Sequence, residues 1–270
     1  MKKRIKTTLN IQGHRGCRGL FPENSLPAFQ QAILLGVHTL EMDVVLSADY
    51  QVVVSHEPFI SRIFCLTPDK QPIPESMDMK YNLFEMLYDE IRLFDCGSRK
   101  HPGFPEQKTT PCYKPLLREV FTLAEQLNPN IKYNIEIKSK PVWDGIYMPY
   151  PEAFVKQVLE VVDLYKVSSR TNLQAFDVRI LEQVKKQAPA IPIALLVDEK
   201  ESISEKLHSI SFKPEIISPY FQLLTKELVQ RYQALGYKII PWTVNDNADL
   251  QRMIAYKVDG IITDYPNRLL

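Results

Sequence analysis

Glycine is scarce in this chain of 270 residues, nine against twenty prolines. None of the nine falls in a G-x-G-x-x-G or G-K-[ST] pattern, so neither a dinucleotide fold nor a phosphate loop is signalled. The four cysteines (Cys17, Cys65, Cys96, Cys112) form no C-x-x-C pair and no zinc spacing. Reduced structural thiols are the expectation, with a disulfide among Cys65, Cys96 and Cys112 only in an exported protein. The formal net charge is +1, which removes any global electrostatic case for nucleic acid. No run approaches the roughly 20 apolar residues of a membrane span. Met1 to Lys6 is basic like the start of a secretory leader, but no apolar segment of about 7–15 residues follows it. A cytoplasmic protein is expected on that basis, or a periplasmic or exported one if a leader precedes this sequence.

What is present is an apolar fraction of 45%, enough for a packed core, and a repeating alternation of β-like and helix-like segments. The β runs are Leu9 to His14, Thr39 to Leu46, Tyr133 to Ile137, Asn172 to Phe176, Pro192 to Val197, Glu215 to Ser218, Lys238 to Val244 and Gly260 to Thr263. A short extra run, Gln51 to Val54, follows a turn at Ser47-Ala48-Asp49-Tyr50. Helical spacing covers Ser25 to Leu35, with Ser25 placed to cap and Gly36 to stop it. It recurs at 116–127, 152–164, 178–187, 202–209, 226–235 and 248–255. Eight strands alternating with helices call for a parallel sheet, and this length fits a closed TIM (β/α)8 barrel. The single domain spans 1–270. Residues 57–113 break the rhythm, with clustered prolines and only a modest helical signal near 80–90. Their many aromatic residues suggest a packed subdomain inserted after the second β-hairpin strand.

A barrel places its chemistry at the C-terminal ends of its strands. His14 and Arg15 follow the first strand. Glu41 and Asp43 lie two apart on the second and point to one face. Glu136 and Lys138 repeat that spacing on the third. Converging carboxylates are unfavourable without a cation between them, and oxygen donors suit Mg²⁺ or Ca²⁺. Internal salt bridges, Glu136 with Lys138 or Glu41 with Arg15, are the alternative use of the same residues. His14 and His56 flank the second strand and could divide general base and general acid between them. Arg15 and Lys138, with Gln174, are candidate contacts for an anionic substrate such as a phosphate. Trp242 either walls a pocket or packs in the core. His38, His101 and His208 are read as surface or structural, and Cys17 as a bystander. Gly13 and Gly16 are expected to let a ligand come close, and Glu23 and Asn24 to support the loop.

In combination these motifs resemble the glycerophosphodiester phosphodiesterases. The carriers are His14-Arg15-Gly16 with Pro22-Glu23-Asn24-Ser25, Glu41-Met42-Asp43-Val44, the strand ending at His56, and Ile135-Glu136-Ile137-Lys138. Later echoes are Gln174-Ala175-Phe176, Trp242-Thr243-Val244-Asn245 and Asp259 to Pro266. The resemblance implies a TIM barrel that hydrolyses glycerophosphodiesters, such as a glycerophosphocholine-like small molecule, to sn-glycerol 3-phosphate and an alcohol. It implies one divalent cation on Glu41, Asp43 and Glu136, with His14 and His56 as the acid/base pair and Arg15 and Lys138 on phosphate. An inserted subdomain after the second histidine is also implied. Two positions depart from the pattern: Glu57 stands where Asp is common, and Ala175 where Ser is usual. Rival readings are phospholipase D-like action on lysophospholipids and a non-catalytic barrel that binds a phosphate ligand.

Overall fold

A computed structural model describes residues 9–270; the basic segment Met1 to Lys6 lies outside the described residues. The chain opens with β1 (Asn10–Gly13), α1 (Leu26–Leu35), β2 (Thr39–Leu46) and the hairpin strand β3 (Val52–Val54). It continues with α2 (Tyr88–Ile91), α3 (Leu117–Leu127), β4 (Lys132–Ile137), α4 (Pro151–Leu164) and β5 (Thr171–Ala175). The second half runs α5 (Val178–Gln187), β6 (Ile193–Val197), α6 (Ile203–His208), β7 (Ile216–Pro219), α7 (Lys226–Ala234), β8 (Lys238–Ile239), α8 (Asn247–Tyr256) and β9 (Gly260–Thr263).

Eight parallel strands follow the order β8-β7-β6-β5-β4-β2-β1-β9, with β3 antiparallel on β2. β8 and β9 come together through single bonds, Asp259 N to Ile239 O and Ile262 N to Pro241 O. The ring is therefore a nearly closed TIM barrel. The expected strand Lys238 to Val244 is cut to two residues because Pro241 brings no N–H to the ladder. The sequence signal near 80–90 also resolves differently, into a 3-10 turn at Leu83–Glu85 and the four-residue α2. Asn82 ends the preceding chain there: its side chain accepts from Phe84 N and donates to Ile146 O.

Local chemistry sets the first helix as the sequence indicates. Ser25 Oγ accepts from Ala28 N, and Gly36 turns left-handed at φ 93°. Outside the barrel wall, helices cover side chains such as Phe29, Leu40, Met42, Phe121, Tyr133 and Phe154, all fully buried. Each stabilises the fold by about 1.5–3 kcal/mol through burial.

The barrel interior has two unlike halves. Ala194, Ile216, Ile240 and Ile262 form an apolar patch on one side. Opposite them is an amide network: Asn134 Nδ2 donates to Gln12 Oε1 at 2.8 Å and to Gln174 Oε1 at 3.1 Å, and Asn172 donates to Asn134 Oδ1 at 2.6 Å. These bonds satisfy most of the buried amide groups, while Gln12 Nε2 is left with no partner among the described residues.

Residues 57–113 cover the outer side of the β2–β3 hairpin. Val45, Val53 and Leu116 pack there against Ile60, Phe64, Ile73, Leu83, Ile91 and Phe94. Cys65 and Cys96 are joined in a disulfide within that packing. This corrects the expectation of reduced thiols: segments 31 residues apart are brought side by side by the Leu66–Asp95 backbone pairing. Cys17 and Cys112 are free.

Candidate active site

Parallel register brings the acidic residues together. Asp43 on β2 pairs with Glu136 on β4, which pairs with Gln174 on β5. Glu41 lies two residues before Asp43, on the same inward face. One ligand oxygen from each of Glu41, Asp43 and Glu136 lies within 4.8 Å of the others, and all three residues are buried.

Burial raises Glu41 above the usual carboxylate range, and the neighbouring Asp43 and Glu136 charges raise it further. Glu136 is also raised, by burial first and then by Asp43, although Lys138 opposes the shift. Asp43 is held well below the ordinary range. Burial works against its charge, but Arg15, His56 and Lys138 outweigh that effect. Asp43 Oδ1 is buried with no hydrogen-bond partner among the described residues. A crowd of carboxylates with an orphaned oxygen fits a hard divalent cation. Salt bridging accounts for part of the charge: Lys138 Nζ lies 2.6 Å from Glu136 and 3.7 Å from Asp43 Oδ1, and Arg15 Nε lies 3.2 Å from Asp43 Oδ2.

The β1–α1 loop closes over this triad. Arg15 sits at φ 48° and Asn24 at φ 52°, left-handed conformations that non-glycine residues seldom adopt. Their contacts account for the strain. Arg15 N donates to Glu41 Oε2 at 2.9 Å, and Arg15 Nη1 to Glu23 Oε1 at 2.8 Å. Asn24 Nδ2 donates to Asp43 Oδ2 at 2.9 Å. Glu23 and Asn24 are thus the supports expected of them. Gly13 and Gly16 serve a different purpose from the expected one. A Cβ on Gly13 would meet Gly16 O at 2.0 Å, and one on Gly16 (φ 86°) would meet Ala28 at 2.7 Å. Their smallness lets the loop fold on itself.

Each histidine has a carboxylate behind it. His14 Nδ1 lies 2.6 Å from Asp264 Oδ1, just past β9, with Nε2 on the side of Glu41. Asn245 Nδ2 holds the other Asp264 oxygen at 2.7 Å. His56 Nδ1 lies 2.8 Å from Glu57 Oε1. In both, a carboxylate at Nδ1 favours the tautomer that presents Nε2 for proton transfer. Burial lowers the pKa of both rings, and Arg15 adds to this at each. Glu57 is drawn down to about 2: burial opposes its charge, but the bond and charge of His56 prevail.

His14, Arg15, Glu41, His56, Glu136 and Lys138 line a cavity of about 210 Å³ with Gln174, Phe176 and Trp242. Every candidate site residue except Asp43, which lies immediately behind, borders it. Gln174 commits an amide N–H to Glu41 Oε1 at 2.9 Å, so it orients a triad member. Trp242 is wall and core at once: Nε1 donates to Ser218 O while the ring meets Phe176 edge-on at 5.4 Å. A second cavity of about 600 Å³ shares His56, Glu136, Lys138 and Phe176 and is walled by Pro58, Phe59, Met79 and Trp143. His38, His101 and His208 are engaged elsewhere: His38 Nδ1 accepts from Ile11 N, His101 stacks on Phe64, and His208 bonds Ser204 O. Sequence reasoning missed Asp264 as a site residue. Its signal was the polar residue directly after the last strand.

The profile of the Glycerophosphoryl diester phosphodiesterase family matches residues 14–268. A glycerophosphodiester phosphodiesterase from Caldanaerobacter subterraneus subsp. tengcongensis is 32% identical over 96% of each chain. A protein from Silicibacter pomeroyi, provisionally named a glycerophosphoryl diester phosphodiesterase, has a TM-score of 0.88 and 31% identity, covering 97% of this chain and 92% of its own. An Oleispira antarctica phosphodiesterase solved with the product sn-glycerol-3-phosphate has the same fold, with a TM-score of 0.76, 22% identity and coverage of 96% and 94%.

Proposed function

The chain belongs to the glycerophosphoryl diester phosphodiesterase family, and from that premise we propose that it releases sn-glycerol 3-phosphate by a metal-dependent hydrolysis in which His14 and His56 share the proton transfers. The observation that carries this reading is the meeting of Glu41, Asp43 and Glu136 in one cavity with two carboxylate-backed histidines.

A Mg²⁺ or Ca²⁺ held by the three carboxylates would supply a Lewis acid for a phosphate oxygen and the glycerol hydroxyls. The side chains do the rest. Arg15 and Lys138 offset charge on the phosphoryl oxygens as it develops. His14 borders only the smaller cavity and takes the proton of the attacking oxygen. His56 borders both cavities and gives a proton to the leaving alkoxide, whose organic group then lies in the larger one. Asp264 keeps the neutral His14 ring in the tautomer whose Nε2 is free to take that proton, and Glu57 holds the Nδ1–H of a protonated His56 ring, whose Nε2–H is the proton given.

The larger cavity favours a second reading of the substrate. Pro58, Phe59, Met79, Trp143 and Phe176 give it walls that suit an acyl chain, as in a lysophospholipid. The Cys65–Cys96 bond supports an exported or periplasmic setting over a cytoplasmic one. A screen of glycerophosphodiesters and lysophosphatidylcholine, coupled to glycerol 3-phosphate detection with and without Mg²⁺ or Ca²⁺, tests the proposal. Cation-dependent glycerol 3-phosphate from a diester is the expected result, and a larger kcat/KM on the lysolipid would install the second reading. Tight glycerol 3-phosphate binding with no turnover of any diester would make the barrel a binding protein.

A further inference from the structure

One buried charge next to the site is unused by this reaction. Lys114 is 5% exposed, and Glu57 and Lys114 bracket the insertion where the chain leaves the barrel and returns to it. The return is zipped to β3, with Val54 N donating to Pro115 O at 2.7 Å. Lys114 Nζ donates to Ser55 Oγ at 2.8 Å, and Ser55 Oγ donates to Glu57 O at 2.6 Å. Ser55 N donates in turn to Asp43 O at 3.0 Å. His56 lies between the two residues that this chain of bonds fixes.

A buried ammonium is costly unless anions and hydrogen bonds answer it. Ser55 Oγ is its one side-chain hydrogen-bond partner among the described residues. Burial depresses its pKa, and Glu57 is the strongest charge acting to restore it, ahead of Glu23 and Cys112 and against Arg15. Glu57 Oε1 is committed to His56, whereas Oε2 is buried with no hydrogen-bond partner. Among the described residues no hydrogen bond or close ion pair joins the two groups; what links them is the Ser55 bond chain and the attraction between their charges. The apolar surroundings, with the Phe64 ring centroid 5.6 Å from Nζ, strengthen that attraction.

We infer that Lys114 is a positioning residue for His56: through Ser55 and the Glu57 carboxylate it fixes the turn, and the Nδ1–H bond to Glu57, with which the His56 ring meets the leaving oxygen. The inference rests on the acid/base reading of His56. It gives the insertion a direct stake in turnover, because the lysine belongs to the segment that returns from it.

The test compares Lys114→Met, Glu57→Gln and the double variant, with His56→Ala as reference, on metal-loaded protein. Lys114→Met is expected to lower kcat about tenfold with KM little changed, as loss of an orienting partner does. The double variant should be no slower than Glu57→Gln, since both act on one ring. ¹⁵N shifts of the His56 ring should show the Nδ1–H tautomer in the wild type and a mixture in Lys114→Met. Wild-type kcat with an unchanged tautomer, or additive losses in the double variant, overturns the inference. If Lys114→Met does not fold, Ser55→Ala decides, because it cuts the same link without removing a charge. Its kcat should fall with KM constant, and wild-type kcat and tautomer would refute the role. An active His56→Ala protein would refute the acid/base reading itself, and the tautomer comparison would still report on Lys114.

Discussion

His14 Nδ1 and Asp264 Oδ1 are 2.6 Å apart across 250 positions of sequence. The bond forms because β1 and β9 are neighbours, with His14 N itself donating to Thr263 O. Asp264 keeps a low pKa: burial opposes its charge, but the charge and hydrogen bond of His14 prevail. The last strand thus sets the protonation pattern of the first residue after the first strand.

Asp264→Asn is therefore expected to cost activity without emptying the site. The amide can present its N–H to Nδ1 and favour the other tautomer, which leaves Nε2 protonated. A kcat loss of about 10- to 100-fold is expected, smaller than the 10²–10⁴-fold typical of losing a proton-transfer group, as in His14→Ala. Steady-state kinetics on glycerophosphocholine read both. An Asp264→Asn enzyme with wild-type kcat would show that His14 needs no orienting partner.

Metal binding should register in stability as well as in rate. Glu41 and Glu136 are both raised by burial and by the neighbouring Asp43 charge, so a cation that relieves the crowding binds the folded state selectively. At 100 times its Kd it should stabilise the protein by about 2.7 kcal/mol. Thermal melts with EDTA and with Mg²⁺ or Ca²⁺ measure this directly. Asp43→Asn should abolish most of the shift. A melting temperature that ignores both ions and EDTA would remove the metal from this site.

Much of the architecture was legible because a parallel barrel writes its strands as apolar runs between helices. The triad was legible because alternation fixes Glu41 and Asp43 to one face. What escaped depends on distant partners. Nothing near Asp264 announces His14, and nothing near Gln12 announces Asn134. Nothing in the sequence around Lys114 announces its burial, which comes from the return of the insertion. Cysteine spacing cannot choose among pairings, so the Cys65–Cys96 bond waited on the Leu66–Asp95 pairing. The short β8 was the avoidable miss, since Pro241 stood in plain view.

Opening the Cys65–Cys96 disulfide should loosen the insertion before the barrel. The bond closes a loop of 31 residues, and the chain-entropy estimate for such a loop is about 3–4 kcal/mol. Cys65→Ser with Cys96→Ser, or the wild type under dithiothreitol, should melt at lower temperature and be nicked by protease first within 57–113. Below the transition kcat should stay close to wild type, since neither cysteine lines the cavity with the histidines. An unchanged melt and nicking pattern on reduction would show that the bond adds no stability.

Asp95 anchors the same region and gives it a pH dependence of definite sign. The residue is 5% exposed. Its Oδ1 accepts from the backbone of Gly97 and Ser98 at 3.1 Å each, and its Oδ2 from Ser98 Oγ at 2.6 Å and Lys70 Nζ at 3.1 Å. Burial opposes the charge, but these donors, Ser98 first, hold the pKa down at about 2. A carboxylate whose folded pKa lies below its unfolded one binds fewer protons when folded. Its stabilisation is complete above about pH 5, shrinks as pH falls through the unfolded value near 4, and is gone once pH passes below the folded value. The shift corresponds to about 2 kcal/mol at neutral pH. Asp95→Asn, which keeps the shape and loses the charge, should be less stable than wild type by about that amount near pH 6. The gap should narrow near pH 3, measured by urea unfolding at about these two pH values. A gap of constant size across that range would mean that shape, and not the ionised carboxylate, is what Asp95 contributes.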